Sequence, residues 1–122
     1  MRGIRGAITT EANTREAILA ATLQLVGALM AANDLNPDEI AAALFTVTPD
    51  LDQAFPAEAA RTAGWTHVPL MCMQEIPVPG SMARVVRMLV LVNRDVPPSA
   101  IRHVYLGEAQ RLRADLADPD SA

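Results

Sequence analysis

Short apolar runs separated by turn-forming breaks dominate the chain, and one long stretch carries helical rather than alternating spacing. Gly3 to Thr9, apolar between polar flanks, predicts a first strand carrying Arg5. Asn13 with Glu16 three residues on has the form of a capping box. Ile18, Thr22, Leu25, Val26, Leu29 and Met30 then recur at helical spacing through about Ala32, and Asn33 suits the end of that helix. Asn36-Pro37-Asp38-Glu39 repeats the start signal and predicts a short helical turn ending near Ala43, followed by a strand from Leu44 to Thr48. Pro56 to Ala63 reads as another short helix stopped by Gly64, and Val68 to Glu75 as a third strand. After the rigid turn Pro77-Val78-Pro79-Gly80, Arg84 to Val92 predicts a fourth strand and Ile101 to Leu106 a fifth. The expected fold is α+β, about five strands in a mixed sheet against one long helix, in a single domain spanning residues 1–122 with a mobile tail from about 114.

One helix cannot cover both faces of such a sheet. The run Val85-Val86-Arg87-Met88-Leu89-Val90-Leu91-Val92 is apolar on both faces, so the uncovered face is expected to meet another copy of the chain. Within that run Arg87 stands out. A guanidinium taken out of water there costs several kcal/mol unless an anion compensates it. Either an internal carboxylate such as Glu75 pairs with it, or Arg87 is presented to an anionic ligand.

Composition narrows the function classes. All ten basic residues are Arg against fourteen carboxylates, a formal net charge of −4, which lacks the basic footprint of a nucleic-acid binder. One cysteine, Cys72, and two scattered histidines provide neither an internal disulfide nor metal-ligand spacing. The first residues do not resemble a signal peptide, and the apolar stretch from Ala17 to Ala32 is interrupted by Thr22 and Gln24 and is short for a membrane span. A soluble cytoplasmic protein without metal, nucleic-acid or membrane partners is the expectation. Arg5 and Arg87 on strands, Glu75 at a strand end, Cys72 just before it and the only tyrosine, Tyr105, form the candidate anion site, although spacing alone leaves open whether they meet.

Gly3-Ile4-Arg5-Gly6-Ala7, Thr48-Pro49-Asp50-Leu51, Phe55-Pro56-Ala57, Gly64-Trp65, Val68-Pro69, Cys72-Met73-Gln74-Glu75, the Arg87 strand, Arg102-His103-Val104-Tyr105-Leu106 and Leu112-Arg113-Ala114-Asp115-Leu116 together resemble the monofunctional chorismate mutases of the Bacillus type, over nearly the whole chain and in order. The resemblance implies a homotrimeric pseudo α/β barrel with active sites between subunits, converting chorismate to prephenate without cofactor or metal. It assigns Arg87 to the ether oxygen of the substrate, Arg5 to a carboxylate and Tyr105 to the enolpyruvyl group. Glu75 with Cys72 falls near the ring hydroxyl. Phe55, Ala57, Leu70, Met71, Met73 and Gln74 belong to the cleft, and Arg61, Leu112 and Arg113 to its entrance and the C-terminal tail. Two departures stand out: Glu58 where the family commonly has Lys, and Ala114 where Pro is expected. The rival class is a non-catalytic trimer that binds a small dicarboxylate.

Overall fold

The computed structural model describes residues 1–112, in which five strands form one mixed sheet ordered β3-β2-β4-β1-β5. The strands are β1 (Arg2–Thr9), β2 (Ile40–Val47), β3 (Leu70–Gln74), β4 (Val85–Val92) and β5 (Val104–Leu106). The central three, β2, β4 and β1, pair antiparallel, and the edge strands β3 and β5 add in parallel to β2 and β1. Helix α1 (Arg15–Asn33) and the short α2 (Ala57–Thr62) complete the regular structure with three 3₁₀ turns. The expected fold class holds; Arg113 and the tail beyond it lie outside the described residues.

Alternation along the strands sorts the side chains into two faces. Ile4 and Ile8 of β1, Phe45 of β2 and Val86, Met88, Val90 and Val92 of β4 join Ile18, Leu25, Val26 and Leu29 of α1 in one core, with Trp65 fully buried among them. Gly6 lets the helix approach: a Cβ there would lie 3.2 Å from Leu25 Cδ1 and from Met88 Cγ. α1 is long and apolar enough to cross a membrane by composition, yet its buried stripe is the one packed on the sheet. Thr22 sits in that stripe at no polar cost because its hydroxyl donates to the Ile18 carbonyl at 2.7 Å.

The helix ends differ in detail from the sequence reading. Thr14, not Asn13, caps α1, accepting from the Ala17 N–H, while Asn13 exchanges two hydrogen bonds with Asp52. At the other end Asn33 is the last helical residue, and its buried amide donates to the carbonyls of Leu29 and Arg102 and accepts the Arg102 N–H. Arg94 donates to the carbonyls of Asn33 and Asp34 and ion-pairs with Glu39, satisfying helix-end acceptors that would otherwise be orphaned. The Asn36–Glu39 capping box forms as expected, but it opens only the 3₁₀ turn Pro37–Glu39. β2 then begins at Ile40, so the helical turn expected up to Ala43 is strand, because pairing with β4 claims those residues.

Two stability predictions arise here. Gly107 has φ +61°, and a Cβ on it would fall 2.7 Å from Thr9 Oγ1, which accepts the Glu108 N–H. Gly107→Ala is expected to cost about 1–3 kcal/mol, seen as a lowered denaturant midpoint at unchanged m-value. The second concerns acid. Hydrogen bonding to Arg94, and then to the Asn36 N–H, holds the Glu39 carboxyl below its ordinary range. A depressed folded-state value contributes stability that is present above the unfolded value near about 4.3 and is lost as pH falls through the folded one. Melting temperature should therefore fall below that pH in the wild type and fall less in Glu39→Gln.

Candidate active site

The face of the sheet turned away from α1 is open. Arg5 of β1 stands opposite Leu89 of β4, and Arg87 of β4 lies between Ala7 of β1 and Thr46 of β2. Tyr105 of β5 pairs with Ala7, which extends the same row to the sheet edge. Together with Leu44, Met73 and Glu75 these residues line a cleft of about 350 Å³. The fold brings Arg5 and Arg87, the strand-end carboxylate of Glu75 and the only tyrosine into one concavity.

Arg87 is not a buried charge, as its apolar strand suggested. Its side chain is 39% exposed because the second apolar face of β4 is uncovered in the single chain, where Leu89 is also exposed. Its Nε atom, however, is buried. That nitrogen lies 2.7 Å from Glu75 Oε1, an ion pair by distance, but the N–H is not aligned on the carboxylate oxygen. Among the described residues, the buried side-chain polar atoms without a hydrogen-bond partner are Arg87 Nε and Thr46 Oγ1. They occupy paired positions on adjacent strands. Buried polar groups are almost always satisfied in folded proteins, so two such groups side by side in a cleft mark a place where a ligand completes the bonding.

Phe55, Cys72, Met73 and Gln74 line a second cleft of about 490 Å³ with Val47, Leu51 and Pro56. Along β3, Cys72 packs against the helix-side core, whereas Met71 and Met73 are exposed. The two clefts thus flank β3 and share Met73. Ala57 is buried at the start of α2, and Leu70 packs against the main core. Arg61 is exposed on the last turn of α2, and Leu112 packs beside the small cluster of Ala7, Val85, Tyr105 and Ala109. His103 accepts the Arg5 backbone N–H at 2.9 Å, which ties β5 to the strand that carries Arg5.

Glu58, the carboxylate at the position where the resemblance leads to Lys, is held by Arg15. Arg15 Nη1 donates to Glu58 Oε2 at 2.7 Å and Nη2 donates to Oε1, a fork linking the first turns of α1 and α2. Those hydrogen bonds keep the Glu58 carboxyl below its ordinary range. Arg15 itself lines the second cleft and was not singled out by spacing. Among the described residues there is no group of three or more His, Cys, Asp or Glu side chains arranged to hold a metal.

What such an arrangement does chemically follows from the charges. Two guanidinium groups, a carboxylate and a phenol around one cleft suit a small dianion that also carries a hydroxyl, and nothing in the constellation has the nucleophile–base pairing of covalent catalysis. Comparisons with known proteins identify the family. Residues 1–116 match the family model described as chorismate mutase type I. Chorismate mutase AroH of Thermus thermophilus is 56% identical over 117 residues, covering 95% of this chain and 96% of that one. Chorismate mutase AroH of Bacillus subtilis (strain 168) is 44% identical over 118 residues, covering 96% and 93%. Among solved structures, the chorismate mutase from Clostridium thermocellum superposes with a TM-score of 0.89 at 47% identity, over 91% of this chain and 99% of that one.

Proposed function

The chain belongs to the chorismate mutase type I family, and on that footing we propose that it rearranges chorismate to prephenate by holding the substrate among fixed charges, with Arg87 aimed at the ether oxygen. The reaction is an isomerisation in the route to phenylalanine and tyrosine. A carbon–oxygen bond breaks as a carbon–carbon bond forms within one molecule, and negative charge builds on the ether oxygen. A guanidinium already in place stabilises that charge more in the transition state than in the ground state, which raises kcat. The observation that carries this reading is the buried Arg87 Nε–H, close to Glu75 yet without an aligned acceptor.

Glu75 has two tasks in this reading. It orients Arg87, and it accepts from the ring hydroxyl. Arg5 takes a carboxylate and Tyr105 holds the enolpyruvyl side chain over the ring, so that the reacting carbons meet; this restraint is the second contribution to rate. No proton transfer is needed, so Cys72 and Glu75 do not act as an acid–base pair.

The cleft of Arg5 and Arg87 and the cleft of Phe55 and Cys72 are separate within one chain and have only Met73 in common. We assign the two halves of each site to adjacent copies in a cytoplasmic homotrimer. The exposed Met71, Met73 and Leu89 of the uncovered sheet face supply apolar surface for that assembly. The test is direct: purified protein should clear chorismate, followed by its ultraviolet absorbance, and the product should convert to phenylpyruvate in acid. Binding of chorismate without turnover would favour a dicarboxylate binder instead.

A further inference from the structure

The second cleft contains a cation that neither the strand arginines nor the spacing of the sequence accounts for. Its walls are largely apolar or neutral: Phe55, Cys72, Met73 and Gln74 among them. Two charged residues join them, Asp52 and Arg15. Asp52 is already engaged, accepting from Asn13 Nδ2 at 2.8 Å and from Gln53 Nε2 at 2.7 Å. Arg15 is the one cation among the described residues of that lining.

We propose that Arg15 is a substrate-binding residue that contacts a carboxylate of the bound dianion from the second cleft, with Glu58 as the support that fixes its guanidinium. This deepens the functional reading above and rests on it. The fork to Glu58 occupies two of the five guanidinium N–H groups, leaving three for a ligand in a plane already set by the pair. An arginine restrained before binding loses less side-chain freedom when the substrate arrives. The carboxylate of Glu58 is matched by the charge of Arg15, so the cleft does not repel a dianion at this point.

Stability is a poor explanation for the pair. Its side chains are 53% and 38% exposed, and ion pairs so open to solvent contribute little. The fork joins α1 to α2, elements that already meet through the core. Removing it should leave the fold in place, which makes the proposal testable by kinetics.

The experiment compares Arg15→Gln, Arg15→Lys and Glu58→Gln with wild type in steady-state turnover of chorismate, with a thermal melt of each. Arg15→Gln is expected to raise KM about tenfold or more with kcat nearly unchanged, the size of one charge-assisted hydrogen bond. Arg15→Lys should recover part of that loss, and Glu58→Gln should change KM less than Arg15→Gln does. An unchanged KM in Arg15→Gln, or equal KM changes in Arg15→Gln and Glu58→Gln, would overturn the proposal. A wild type without turnover would count against the reading of the Arg87 cleft, and calorimetric binding of chorismate to wild type and Arg15→Gln would then decide the role of Arg15 separately.

Discussion

Arg87→Ala is expected to lower kcat for chorismate by about 10²–10³-fold, the cost of one donor that acts on charge developed in the transition state, roughly 2.7–4 kcal/mol. The fold should survive, because the side chain is partly exposed on the open face and stands outside the main core cluster. Arg87→Lys should fail almost as badly. Lysine keeps the charge but loses the planar fork, and its flexible stem would leave the ammonium free to pair with Glu75 rather than point at the substrate. The split between constants separates this role from simple binding: kcat falls, whereas loss of Arg5 should appear mainly in KM.

Leu91→Glu is expected to abolish activity by a different route. Leu91 lies on the open sheet face beside Leu89: a Cβ on the facing Gly3 would be 3.4 Å from Leu89 Cδ1 and 3.9 Å from Leu91 Cδ2. Leu91 itself lines neither cleft, but in an assembly a carboxylate there would be buried without a partner, at a cost of several kcal/mol. Sedimentation should show monomers, with circular dichroism close to wild type and turnover lost. An active monomer would show that one chain holds a complete site and would remove the composite site from the account.

Much of this was legible in the chain because breaks and apolar runs coincide with the elements they imply. Pro49, Gly64, Gly80 and Pro97 fall between elements, and every expected strand exists. The errors share a physical cause: partners distant in sequence. Ile40-Ala41-Ala42-Ala43 follows a good capping box and has the composition of a helix, yet hydrogen bonding to β4 makes it strand. Asn13 and Thr14 are both capable caps, and Asp52, far along the chain, takes Asn13 away. Arg87 read as buried because its strand is apolar on both faces, a pattern that describes an assembled sheet rather than an isolated chain.

The site shows the same limit. Arg5, Arg87, Glu75 and Tyr105 carry their chemistry in their identities, and the fold lines one cleft with them, a meeting that spacing alone left open. Arg15 gave no signal, because it lies among the polar residues at the start of a helix and its partner Glu58 is 43 positions away. The clue was Glu58 itself: a carboxylate where the resemblance led to a cation calls for a compensating charge nearby.

The most direct measurement is kcat at saturating chorismate for wild type beside Arg87→Gln, which keeps a polar side chain of intermediate length and removes the charge. With melting temperatures equal, a kcat at least about 100-fold lower in the variant is the predicted result. Equal rates in the two proteins would contradict electrostatic catalysis by Arg87.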